Sequence, residues 1–92
     1  MEETTIVWTE YMNYRLCLRG YDLVTVEQIL RYSSERYMDS MTGRMIAVGR
    51  HGKFLVMIPY ELKGHTLTPV TIHATSRKQI NSRIKSWRFK NE

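Results

Sequence analysis

The junction His73-Ala74-Thr75-Ser76-Arg77 carries a histidine and, four residues on, a guanidinium, at a point where a strand pattern gives way to a helix pattern. Backbone N–H groups at a helix N-terminus favour a phosphate, so this pair suits a phosphodiester. Cleaving RNA without a metal requires a base for the 2′-hydroxyl, an acid for the 5′-oxygen and cations for the charge that develops on phosphorus. His73 and Arg77 fit the proton and charge roles, with Tyr60 at the end of an apolar strand as a further candidate. Arg50 and His51 sit at a hairpin and converge on the same place if the sheet has its usual order. Each has a plainer reading. His73 caps or hydrogen-bonds within the sheet, and His51 and His65 in glycine-containing turns are solvated. Tyr11, Tyr14 and Tyr37 pack in the core or across strands, and the six methionines fill gaps.

The charge around that junction is one-sided. No acid occurs between Thr66 and Asn91. Arg77, Asn81, Lys85 and Arg88 fall at i, i+4, i+8 and i+11, where adjacent like charges on a helix cost roughly 0.2–0.5 kcal/mol per pair. Phosphate offsets that repulsion, and an acidic protein surface does so equally well. Arg50, Lys78, Asn81, Lys85 and Arg88 are therefore the candidate nucleic-acid-binding residues. Over the whole chain the formal charge is +5, but residues 1–43 hold four arginines against seven acids and residues 44–92 hold ten Lys or Arg against two. Halves of opposite sign point to a polyanionic partner on one side.

The elements that must position these residues follow from periodicity and caps. Ile6-Val7-Trp8 reads as a first strand, and Thr9-Glu10 as the start of a helix that Gly20 ends, with Tyr11, Tyr14 and Leu18 at helical spacing. Thr25-x-x-Gln28 has the form of a capping box before Val26, Ile29 and Leu30. From Glu35 the period becomes two. Residues 36–39, 44–49, 54–58 and 67–75 read as antiparallel strands, the continuously apolar 54–58 being central. Ser76-x-x-Gln79 opens a final helix, expected to run to about Phe89 and to dock on the sheet through Ile80, Ile84 and Trp87. The fold class is α+β, an antiparallel sheet of four to five strands with two N-terminal helices and one C-terminal helix.

Ninety-two residues, 42% of them hydrophobic, support one core, so residues 1–92 are read as a single domain. The lone Cys17 excludes an internal disulfide, and Cys/His spacing of the metal-knuckle kind is absent. No metal and no cofactor is expected. The start Met1-Glu2-Glu3-Thr4-Thr5 is acidic where a secretory signal is basic, and no apolar run reaches the roughly 20 residues that cross a bilayer. A cytoplasmic protein without a membrane partner is the expectation.

Five segments carry a resemblance to a known family. They are Trp8-Thr9 leading into a helix that ends Arg19-Gly20, a second helix, the hairpin with Thr42-Gly43-Arg44, the strand ending Pro59-Tyr60-Glu61, and the junction His73-Ala74-Thr75-Ser76-Arg77. Over roughly residues 6–89 the chain resembles the BrnT toxins, similar in fold to the RelE ribonucleases, and a related group of small bacterial and cyanobacterial proteins. The resemblance implies a bacterial toxin of a type II toxin-antitoxin pair, a metal-independent endoribonuclease and hydrolase acting on RNA and neutralised by a cognate antitoxin. It places the family's basic residue at the start of the last helix on Arg77 and its charged residue after the first hairpin turn on Arg44. Where the family's first helix ends in a Lys-His-Gly type of sequence this chain has Leu18-Arg19-Gly20, and Tyr11 stands where many relatives have histidine. The alternative is a catalytically silent module of the same fold that binds nucleic acid or an antitoxin. A structural partner in a small complex is a third reading, and a homodimer is left open.

Overall fold

The structure, a computed structural model, describes residues 3–91. Met1, Glu2 and Glu92, which entered the charge count and the reading of the N-terminus, lie outside the described residues. The order is β1 (Thr5–Ile6), α1 (Glu10–Arg19), α2 (Leu23–Tyr32), β2 (Glu35–Asp39), β3 (Met45–His51), β4 (Phe54–Lys63), β5 (Thr66–Pro69), β6 (His73–Thr75), α3 (Arg77–Lys85) and β7 (Phe89–Asn91). The class is α+β with three helices, as expected. The sheet is larger than expected and mixed. Its strands run β1-β5-β4-β3-β2-β7, with β1 parallel to β5 and every other pairing antiparallel, and β6 pairs with β4 beside β5. The surplus strands are β7 and a split of the expected 67–75 strand into β5 and β6, while the first strand, expected over residues 6–8, is β1. Each has four residues or fewer, too short to show a period of its own.

Period-two alternation puts a core on each face of the sheet. Ala47, Val56, Ile58 and Tyr60 point to the face covered by α1 and α2, where they meet Met12, Leu16, Val26, Ile29 and Leu30. Tyr37, Ile46, Val48, Leu55 and Met57 point to the other face, closed by Ile80 of α3 and Phe89 of β7. α2 lies so close to β3 that a Cβ at Gly49 would come within 2.8 Å of the Ile29 side chain. Gly49→Ala would therefore force the Ile29 side chain to shift.

Helix ends account for most departures from the periodicity reading. α1 begins as expected, with the Thr9 side chain accepting from the Met12 N–H, and ends on Gly20 in the left-handed region, φ 70°. Its buried stripe is Met12 and Leu16, while Tyr11, Tyr14 and Leu18 are exposed. α2 is capped by Asp22 instead of Thr25. The Thr25 N–H and hydroxyl both donate to the Asp22 carboxylate, at 3.0 and 2.8 Å, because an ionised acceptor at the N-cap also meets the helix dipole. At the other end of α2 the Arg36 guanidinium donates to the carbonyls of Leu30 and Ser33, satisfying acceptors the helix leaves open.

α3 is the clearest correction. Ser76 caps it, accepting from the Gln79 N–H, but the helix stops at Lys85. The Trp87 N–H then donates to the Ile84 carbonyl and the Arg88 N–H to the Arg83 carbonyl, the paired bonds of a Schellman turn. Trp87 occupies the left-handed position at φ 65°, where a side chain costs about 1–2 kcal/mol relative to glycine. Ile80 is buried as expected, whereas Ile84 is 39% and Trp87 76% exposed, so neither belongs to the core. No helix among the described residues is long and apolar enough to cross a membrane.

Candidate nucleic-acid interface

The sequence-predicted residues are spread over the sheet. Tyr60 lies within β4 instead of at its end, is 2% exposed, and its hydroxyl accepts from Arg36 Nη1 at 3.0 Å on the α1/α2 face. His73 lies opposite Met57, on the α3 face, three register steps along β4 from Tyr60. Arg77 projects from the first turn of α3 to Glu35 at the start of β2, a two-pronged pair at 2.5 and 3.0 Å. Arg44 meets Glu61 at 3.6 Å, and its buried Nε lacks a hydrogen-bond partner. His73, Arg77, Tyr60 and Arg44 are thus not gathered at one point.

Three of these basic residues already have carboxylates. The Arg77 guanidinium holds the Glu35 carboxyl below its ordinary range, against burial, and the Tyr37 hydroxyl adds a bond at 2.7 Å. Burial and the Glu35 carboxylate together push the Tyr37 phenol up to about 12. Arg88 grips Asp39, which is only 3% exposed, through Nε and Nη2 at 3.1 Å each. Burial would raise the Asp39 carboxyl, but the Arg88 bonds and the Met41 N–H outweigh it and leave it lowered. Of the remaining candidates, Lys78, Asn81 and Lys85 line the outer side of α3, and Arg50 is exposed near the end of β3.

A different cationic group is assembled at the β6 edge. Arg15 of α1 donates through Nε to the Ile72 carbonyl at 3.3 Å and through Nη2 to His73 Nδ1 at 3.2 Å. A guanidinium has no acceptor, so Nδ1 must be the unprotonated nitrogen and Nε2 carries the proton. Burial, followed by the charges of Arg15, Arg19 and Arg83, lowers the His73 pKa below its ordinary value, and the ring is neutral at pH 7. Among the described residues no carboxylate is paired with Arg15, Arg19 or Arg83. His73 and Arg83, with Met57, Gln79 and Arg88, line an open cleft of about 330 Å³ between β6 and α3. On the other side of β6, Arg19, Tyr21, His51, Lys53 and Phe54 line a second cleft of about 450 Å³, and Ala74 belongs to both. His51, expected to be solvated, is held in place there. Its Nε2 accepts from the Asp22 N–H at 2.7 Å, and its ring meets Tyr21 edge-on at 5.1 Å.

The two clefts flank β6 and share Ala74, one with Arg19 and Lys53 as cations and Tyr21 and Phe54 as aromatic walls, the other with His73 and Arg83, while Arg15 reaches His73 from α1. Arg15, Arg19, Arg83, Tyr21 and Phe54 were not singled out from the sequence. A signal was present: Arg15 and Arg19 stand at i, i+4 on α1, the same like-charge spacing that marked α3. Among the described residues no group of three His, Cys, Asp or Glu side chains is close enough to hold a metal ion. Comparison with known protein families, with curated proteins and with solved structures finds no match to this chain.

Proposed function

We propose that this chain is a single-stranded-RNA-binding module whose groove runs along the β6 edge. The observation that carries the reading is His73, neutral among Arg15, Arg19 and Arg83, none of which has a carboxylate partner among the described residues. Such a cluster repels itself until an anion enters, and a phosphate accepts from the guanidinium forks and from His73 Nε2–H together. Tyr21 and Phe54, beside Lys53, offer rings to unpaired bases, and stacking of that kind tolerates any sequence.

The ribonuclease toxin of the BrnT and RelE kind is the second reading, favoured by one feature, a neutral imidazole within a cationic cleft. As held by Arg15, His73 offers a donor and not a base, and Arg77 and Arg44 face carboxylates. The geometry therefore favours binding over cleavage.

Fluorescence anisotropy with a short single-stranded RNA tests the proposal. Wild-type protein binds with an affinity that falls steeply between about 50 and 200 mM salt. The double variant Arg15→Ala/Arg19→Ala flattens the slope of log affinity against log salt by roughly 0.7 per lost phosphate contact. RNA that stays free at low salt removes the binding reading. RNA cut by wild type but not by His73→Ala, with ribosomes supplied and antitoxin absent, reinstates the nuclease.

A further inference from the structure

Trp87 is the most exposed of the large apolar side chains and the only non-glycine residue at positive φ among the described residues. Glycine at that position would form the same two backbone hydrogen bonds without a Cβ penalty, so the turn itself does not call for an indole. The turn is rigidly held. The Trp87 carbonyl accepts from the Ser40 hydroxyl at 3.1 Å, the Ser40 N–H donates to the Arg88 carbonyl at 2.8 Å, and Arg88 is locked on Asp39. Strained backbone that persists on a braced support marks a position where the side chain serves something other than folding.

The surroundings identify the occupant. Trp87 shares an open cleft of about 430 Å³ with Ile84, Lys85, Phe89 and Lys90. Its nearest charged companions in that cleft are both lysines, and no acid occurs anywhere in residues 66–91. A hydrophobic partner surface would leave the two ammonium groups against apolar atoms, whereas a nucleotide strand satisfies ring and cations at once. We infer that Trp87 is a stacking platform for an unpaired base of single-stranded RNA, with Lys85 and Lys90 meeting the flanking phosphates. The inference rests on the nucleic-acid reading above and adds a second contact surface beyond the β6 groove. Arg83 connects the two, since it lines the His73 cleft and lies one turn before Trp87.

Protein labelled with 5-fluorotryptophan gives two fluorine resonances, from Trp8 and Trp87, assigned with Trp87→Phe. Octauridylate is titrated in, and separately an abasic ribose-phosphate octamer. The Trp87 resonance moves saturably with octauridylate and stays in place with the abasic strand. Trp87→Ala binds octauridylate about 5- to 150-fold more weakly, the range for losing one stacked base, and binds the abasic octamer as wild type does. Trp87→Gly relieves the backbone, so it melts higher than wild type while showing the same loss of affinity. Equal binding of octauridylate by wild type and Trp87→Ala overturns the platform and leaves the β6 groove standing. Binding of neither octamer by wild type at low salt overturns both. Movement of the Trp87 resonance with protein concentration alone, without RNA, assigns the ring to contact with a second copy and overturns the inference.

Discussion

Two sets of arginines in this molecule have opposite circumstances. Arg77 and Arg88, with Arg44, come from the basic half of the chain, yet each ends on a carboxylate: Glu35, Asp39 and Glu61. Arg15, Arg19 and Arg83 surround a neutral histidine and meet none. Arg77 ties α3 to β2, Arg88 ties the segment leading into β7 to β2, and Arg44 faces Glu61 of β4. The second set has no structural counter-charge to justify its crowding. Linear charge counts conflate the two because the acids that neutralise Arg77 and Arg88 lie 42 and 49 residues away in sequence.

Breaking the first set should cost stability and spare binding. The largest effect is expected at Asp39, where Asp39→Ala leaves the Arg88 guanidinium, only a third exposed, facing an emptied site. Removing one partner of a buried pair costs about 3 kcal/mol, which urea denaturation reads directly. RNA affinity per folded molecule should stay within about twofold of wild type, well inside the tenfold that 1.4 kcal/mol represents. A tenfold loss of affinity at unchanged stability would instead move Arg88 into the RNA-binding set.

A smaller change is expected at Arg77, the residue on which the sequence placed most weight. Its side chain is half exposed, so solvent screens the pair with Glu35, and Arg77→Ala should lower the urea midpoint far less than Asp39→Ala does. Its RNA affinity and salt slope should match wild type, in contrast to Arg15→Ala/Arg19→Ala. If Arg77→Ala lowers the salt slope as much as that double variant does, Glu35 yields its arginine to phosphate and the division between the sets disappears.

What was legible in the sequence was whatever is encoded locally. The continuously apolar run 54–58 gave a central strand, which the structure buries on both faces as part of β4, and Thr9, Gly20 and Ser76 gave three helix ends. The end of α3 was not legible because a Schellman turn is normally announced by glycine, and here Trp87 takes that place. Asp22 was passed over for Thr25 because the capping box is a spacing rule that ignores which acceptor is ionised. Of the candidate site, the excess of basic side chains and His73 at the strand-to-helix junction were legible. Its partners were not, because Arg15 reaches His73 across 58 positions and only the turn of α1 onto β6 brings them together.

The smallest expected effect is also the one that most directly probes the second set. Burial and three neighbouring cations depress the His73 pKa in the free folded protein, so the unfolded chain holds its proton more readily near pH 6. The stability this contributes is complete above the ordinary histidine value and declines as pH falls through it, levelling off below the folded value. A phosphate in the groove reverses the sign by neutralising the arginines and accepting from the His73 Nε2–H, which raises the His73 pKa in the complex. The complex then takes up a proton that the free protein does not hold, and RNA affinity should increase a few-fold as pH falls from about 7.5 to 5.5 while free-protein stability decreases. Glu35 and Asp39, both held below their ordinary values, do not titrate in that window. His73→Gln keeps an acceptor for Arg15 but has no titrating group, so both pH trends should flatten. If the variant retains the full wild-type dependence of affinity on pH, His73 does not face the bound phosphate and the cluster around it belongs to some other ligand.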